Sequence, residues 1–380
     1  MVADGNRRGY RHLLEGFWDE ARAQGLELPT EQALSAPSFC RAREKITTGL
    51  LKPILQTLAS SDLASDSLPE HRWYGRKIFA IDGCKVTLPP SEDLMDYFGT
   101  STDSHYPIAL MSVLYDLGPG MPLDVEVSPY ATSERDHLFE MLPSLNAGDV
   151  LVMDRGYASH EVFRALADEG IDFLARVQTS NTFGVIEDMR ERGAWDEAFV
   201  LEVPRLAPDD WEELELRFVR VPGPDGEDAF FFTSLPAEDF PLKKIAELYR
   251  RRWGVEEYYK LQKSESLGRG TLRSKSVEGI IQEIYAVTLF LAISRLLMSA
   301  TAKAGQRDLN TISQKAAVLA AADYLARVLL APDRDRKLEE LCQLLQRISR
   351  IREKPRPGRS YPRRSLRPIS KWVASGRRGR

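Results

Sequence analysis

The periodicity of the chain changes at Arg76, and the order of elements that follows constrains the fold more than any other feature. Lys77 to Asp82 (KIFAID), Ile108 to Leu117 (IALMSVLYDL) and Leu123 to Ser128 (LDVEVS) are β-rich runs, the last alternating Val125 and Val127 with Asp124 and Glu126. A turn-rich GPGMP joins the second run to the third. Ser133, with Asp136 three residues on, carries the capping signature of a helix that runs to about Leu145. Asp149 to Asp154 (DVLVMD) reads as a fourth strand, Ser159 to Glu169 as a helix and Ile171 to Val177 (IDFLARV) as a fifth strand. Three strands in succession, then two reached through helices, predict an α/β chain built on a mixed sheet with helices against it.

The rest of the chain arranges itself around that core. The expected layout is an N-terminal helical domain (1–75), a first core part (76–178), a β-rich acidic insertion (179–240), a helical second core part (241–346) and a basic tail (347–380). In the first region Leu13, Leu14 and Phe17 repeat at helical spacing, and a second helix from Ser38 to about Ala59 should be kinked or split by Pro53. Residues 1–60 hold eight bases against seven acids, a balance that permits DNA binding there without indicating it. The insertion reads as short strands and turns, AFVLEV, ELRFVRV and AFFFTSL, broken by Pro204, Pro208 and PGPDG. The most apolar segment, Ile284 to Ser294, falls short of the roughly 20 residues of a membrane span and reads as a buried core helix. With no membrane segment expected, no apolar leader in MVADGNRRGY and three scattered cysteines (Cys40, Cys84, Cys342), the expected setting is cytoplasmic and reducing.

A net charge of −4 would argue against a nucleic-acid partner, but the charge is segregated. Glu187 to Asp239 carries −11, Lys243 to Lys275 +6 and Arg347 to Arg380 +12. Basic stretches of this kind suit a phosphate backbone, although a solvated face has the same composition. The tail, with Tyr361 and Trp372 among its bases, reads as a DNA-contacting segment in preference to a solvated terminus.

Two acids stand where strands meet their turns: Asp82 before Gly83, and Asp154 before Arg155, Gly156 and Tyr157. Either alone is ordinary turn chemistry. The strand order, however, is that of the ribonuclease-H-like fold, in which the first and fourth strands are neighbours, so both carboxylates would lie side by side. Such a pair repels itself unless it holds hard cations through oxygen. The run YRRRWGVEEYYKLQK supplies a third acid. Tyr249, Arg252, Glu256, Lys260 and Lys263 share one helical face about 80° wide, with Leu248, Val255 and Tyr259 turned to the core. A salt-bridged exposed face would show the same stripe. Gly254 within this helix has no explanation in the sequence.

These residues resemble the DDE transposases of bacterial insertion sequences, in the insertion-sequence-four branch marked by Y-x2-R-x3-E-x6-K. Tyr249, Arg252, Glu256 and Lys263 meet that spacing in full; IDG (Ile81–Gly83), DRGY (Asp154–Tyr157) and LRSKS with QEI after the helix extend the match over roughly Arg76 to Arg295. Cys84 stands where relatives often carry Thr. The resemblance implies a ribonuclease-H-like fold with Asp82, Asp154 and Glu256 as a catalytic and metal-binding triad for two Mg²⁺ ions, with Mn²⁺ able to stand in. It also implies Tyr249, Arg252, Lys260 and Lys263 as contacts to transposon-end phosphates. Double-stranded DNA, as terminal inverted repeats and target, would be the partner and a homodimer the synaptic form. The activity implied is cleavage at the ends and joining of the 3′-OH to target DNA, through a hairpin in several relatives. Two alternatives stay open: a nuclease of the same fold that does not join, and a DNA-binding protein with a silent site. Zinc hydrolysis, P-loop chemistry and a G-x-S-x-G nucleophile all lack their residues, since His12, His71, His105, His137 and His160 have no ligand spacing and neither motif occurs.

Overall fold

A computed structural model describes residues 9–61, 71–101, 104–178, 183–205, 207–209, 211–222, 227–263 and 272–353. Most of the basic tail, with Tyr361 and Trp372, lies outside the described residues. The chain begins with α1 (Tyr10–Ala23), α2 (Ala36–Arg43) and α3 (Thr48–Ala59). The helix expected from Ser38 onward is split, but between α2 and α3 and not at Pro53, which lies inside α3. Tertiary packing overrides the missing Pro53 N–H: α3 lies against the core with Leu55 fully buried.

The core opens with β1 (Ile78–Thr87), α4 (Glu92–Phe98), β2 (Ile108–Asp116) and β3 (Met121–Pro129). It continues with α5 (Glu134–Met141), β4 (Val150–Met153), α6 (His160–Asp168) and β5 (Asp172–Val177). The capping box at Ser133 and Asp136 is formed and opens α5. β1 pairs antiparallel with β2 and β2 with β3, whereas β1–β4 and β4–β5 are parallel. This is the mixed ribonuclease-H-like sheet, with the first and fourth strands adjacent.

The acidic segment then adds α7 (Val185–Glu191), β6 (Asp196–Leu201), β7 (Leu214–Pro222) and β8 (Asp228–Thr233). Its strands extend the same sheet, because β8 pairs antiparallel with β5, giving the order β3-β2-β1-β4-β5-β8-β7-β6. α8 (Leu242–Arg251), α9 (Trp253–Leu261), α10 (Val277–Ala304), α11 (Gln314–Leu330) and α12 (Arg334–Ser349) complete the chain. α10 is the one described helix long and apolar enough to cross a membrane, and it is largely buried in the core.

Strand alternation divides the apolar side chains between two faces. On one, Phe79, Ile81, Leu151 and Met153 pack with Leu138 and Met141 of α5 and with Val162, Phe163 and Leu166 of α6. On the other, Ala80, Met111 and Val113 pack with Val255 and Tyr259 of α9 and Ile284 of α10. Ile78, Val150 and Val152 meet Ile245 and Leu248 of α8 on that same side. The sheet is thus sandwiched between α5–α7 and α8–α10, and α8–α9 cross the face toward which Asp82 and Asp154 alternate.

Candidate active site

Asp82 and Asp154 occupy equivalent positions on neighbouring strands. The β1–β4 ladder pairs Ile78 with Val150, Phe79 with Leu151 and Ala80 with Val152, so each acid stands two residues past the last pair. Asp82 does not end its strand, as the sequence suggested. β1 runs on to Thr87 against β2, and what ends near Asp82 is its pairing with β4. β4 stops at Met153 and turns, the Tyr157 N–H donating to the Asp154 carbonyl at 3.1 Å. At the level of the two acids β1 therefore has no ladder partner on its β4 side.

The helical stripe is interrupted at Arg252, which separates α8 from α9. Its first three members, Tyr249, Arg252 and Glu256, nevertheless point inward. The Tyr249 hydroxyl donates to Asp154 Oδ1 at 3.3 Å, and Arg252 Nη2 donates to Glu256 Oε1 at 2.6 Å. The Tyr259 hydroxyl donates to the Asp82 carbonyl at 2.6 Å and ties α9 to β1. Leu248, Val255 and Tyr259 are buried, as their angular positions required. Gly254 also finds its reason: a Cβ there would stand 3.2 Å from Leu117 Cδ2, so the missing side chain lets α9 approach the end of β2. Lys263 lies close enough to Cys84 for its charge to act on the thiol, and its ammonium is 5.8 Å from the Tyr259 ring centroid. Lys260 is exposed, its ammonium 4.5 Å from the Trp253 ring centroid. The structure therefore gathers Tyr249, Arg252 and Glu256 around the two aspartates, sets exposed Lys263 beside Cys84 and turns Lys260 outward.

The charges do not balance. Burial pushes Asp82 up to about 6; Arg252 opposes that rise, and Glu134, Glu256 and Asp154 add to it. Burial likewise drives the Cys84 thiol up to about 11, which makes it inert at neutral pH. Burial works against the Arg252 charge, yet Tyr249, Glu256 and Asp154 together hold its pKa above the ordinary value. Its Nε is buried and has no hydrogen-bond partner. Carboxylate oxygens around a surplus of negative charge are the donor set of a hard divalent cation. By chemistry, then, the residues fit such an ion. Among the described residues no three His, Cys, Asp or Glu side chains already form a cage for one, and Glu256 is engaged by Arg252.

One acid at this site was missed. Glu134, the first residue of α5, acts on Asp82 more strongly than either Glu256 or Asp154 does. Nothing local marks it, because an acid in the first turn of a helix is ordinary dipole chemistry. The LRSKS and QEI motifs, by contrast, form a structural clamp. Glu283 accepts from the Arg273 N–H at 2.7 Å, from the Ser274 N–H at 3.0 Å and from the Ser274 hydroxyl at 2.6 Å.

Comparison with known proteins places the chain in a family. The transposase InsG for insertion sequence element IS4 of Escherichia coli K12 is 24% identical over 284 residues, 71% of this chain and 63% of that protein. The putative transposase InsZ of the same organism is 23% identical over 142 residues, 36% of this chain and 47% of that one. The matches thus span less than two thirds of either relative's length. A solved piggyBac transposase synaptic complex with hairpin DNA superposes with a TM-score of 0.45 at 11% identity, covering 93% of this chain and 78% of that one. The transposase DDE domain family matches residues 73–293, more than half of the sequence and the whole of the sheet with both strand-borne aspartates and the Tyr249–Lys263 helix pair, and the chain belongs to that family.

Proposed function

We propose that this chain is a transposase of the insertion-sequence-four type that cleaves DNA at transposon ends and joins the freed 3′-OH to target DNA. The observation that carries the reading is the shared register of Asp82 and Asp154, faced by Glu256 from α9. On this reading Asp82, Asp154 and Glu256 hold two Mg²⁺ ions, with Mn²⁺ able to replace them. Bound there, the ions would activate the attacking oxygen and neutralise the leaving one in an in-line displacement at phosphorus.

The protein's own groups do the rest. Arg252 and Lys263 supply cationic donors for phosphate, and Tyr249, already donating to Asp154, adds a hydroxyl. Lys260, turned to solvent, would meet phosphate farther from the acids. Arg252 is bound to Glu256 here, so a phosphate that recruits the guanidinium would leave Glu256 free to join the aspartates. Water opens the phosphodiester first; the new 3′-OH is the second nucleophile, attacking target DNA directly or after closing a hairpin on the flanking strand. We further propose a homodimer in the synaptic complex, a cytoplasmic setting, and a division of labour in which 76–178 and 241–346 carry the chemistry, 179–240 the acidic extension, and 1–75 and 347–380 flanking contacts.

The test is incubation of the purified chain with Mg²⁺ or Mn²⁺ and the DNA ends that flank its own gene. Nicking followed by joining is the expected result. Nicking alone would make it a nuclease, and salt-sensitive binding without nicking would make the site silent.

A further inference from the structure

Glu134 approaches the two aspartates from the opposite side of the sheet. α5 packs on the face away from α8 and α9, and its first residue lies just past the end of the β1–β4 ladder. The Glu134 side chain lies directly across Gly83: a Cβ at that glycine would stand 2.5 Å from Glu134 Cδ and 2.7 Å from its Oε1. On the other side, a Cβ at Gly156 would stand 3.9 Å from Glu134 Oε2. One carboxylate oxygen thus faces the residue after Asp82, and the other faces the turn that follows Asp154. Arg135 fixes the approach, donating from Nε to the Gly156 carbonyl at 3.0 Å and from Nη2 to the Ala158 carbonyl at 3.3 Å.

A gathering of acids could be a mere cluster, but two buried donors turn toward this one without a partner. The Tyr157 side chain is 1% exposed, and its hydroxyl lies beside Glu134 and Ser112 without closing a hydrogen bond to either. Arg252, 8% exposed, has an unpartnered Nε, and its charge is the largest acting on Asp82. Buried donors are almost always satisfied, so a pair of unsatisfied ones around a group of carboxylates marks a place for ligand oxygens.

We infer that Glu134 is a fourth carboxylate of the divalent-cation site, holding cation or cation-bound water from the α5 side while Asp82, Asp154 and Glu256 hold it from the other. The inference rests on the reading of those three acids as a cation site. It assigns Gly83 a task beyond turn formation, since any side chain there would occupy the place of the Glu134 carboxylate. It also gives the Tyr157 hydroxyl a role as donor to a ligand oxygen.

Mn²⁺ binding to the full-length, DNA-free protein tests it by calorimetry, beside the Mg²⁺ dependence of end cleavage. Glu134→Gln should weaken Mn²⁺ affinity by about 10- to 100-fold and raise the Mg²⁺ concentration needed for half-maximal cleavage in parallel, with end binding held at the parental value and metal-free melting no lower than the parent's. Gly83→Ala, which displaces the carboxylate without removing it, should shift both quantities in the same direction, and it carries the test if Glu134→Gln does not fold. Parental Mn²⁺ affinity and Mg²⁺ dependence in the folded variants would overturn the role of Glu134 and leave the triad standing. A parent that neither binds Mn²⁺ nor cuts would overturn both.

Discussion

Two regions of the eight-stranded sheet, its β8-β7-β6 edge and its interior β1–β4 junction, treat buried charge in opposite ways. In the β6–β8 extension, whose segment carries −11, Arg217 is 4% exposed and fully engaged. It grips Asp196 through both carboxylate oxygens, at 2.6 and 2.7 Å, and donates to the Phe240 carbonyl at 2.7 Å. Arg220 is bound to Asp228 at 2.7 Å and lies over the Trp195 ring. At the β1–β4 junction, Arg252 acts on Asp82, Asp154 and Glu256 and still has a spare donor, while Glu134 adds a fourth carboxylate that only the Lys85 charge offsets. A matched charge pair holds a fold together, whereas surplus charge of one sign costs stability and persists where a ligand will balance it.

Substitutions in the two regions should therefore fail differently. The largest effect expected is at the acids: Asp82→Asn, Asp154→Asn or Glu256→Gln should each take cleavage below detection while leaving DNA binding and folding intact. A gel assay of end nicking checks this, and normal nicking by any one of them would remove that residue from the triad. Arg217→Ala should do the reverse. By leaving half-buried Asp196 and the buried Phe240 carbonyl without their donor it should cost about 3 kcal/mol in denaturant unfolding, with cleavage per folded molecule preserved. A loss near zero would show that matched charge does not support this end.

The contrast also has a pH signature. Because Asp82 is raised from 3.8 to about 6, the folded protein holds that proton more tightly than the unfolded chain does. Its contribution to stability is fully present below about pH 4 and disappears as the pH rises through about 6. Metal-free parent should therefore lose roughly 3 kcal/mol relative to Asp82→Asn across that window, and saturating Mg²⁺ should restore it. Parallel melting curves for the two proteins would refute the surplus-charge account. The smallest effects belong to the phosphate contacts. Arg252→Ala and Lys263→Ala should each lower the salt slope of end binding by about one, and outward Lys260→Ala by less. Equal slopes in parent and variants would exclude those side chains from phosphate contact.

Much of this architecture was legible before folding. Alternation located the strands, Ser133 with Asp136 located the start of α5, and the 3-4-4-3 spacing from Tyr249 placed Glu256 beside Arg252. α4 and α7, seven residues each, went unread because so short a helix shows barely two turns of periodicity. The break between α2 and α3 was sought at Pro53, where packing carries the helix through the proline. Asp82 was taken for a strand end because its pairing with β2 beyond that point is invisible locally. Gly254 and Glu134 were unreadable for one reason: each is explained by a side chain or strand more than forty residues away.

Composition and local spacing alone determined the elements, the family resemblance and the identity of three acids, because period, capping and turn chemistry act between residues a few positions apart. Only the folded arrangement decided the register that sets Asp82 level with Asp154, the inward turn that brings Tyr249 onto Asp154, and the entry of Glu134 over Gly83. Those meetings depend on the register of non-consecutive strands and on the packing of helices from opposite faces, and no short stretch of sequence contains them.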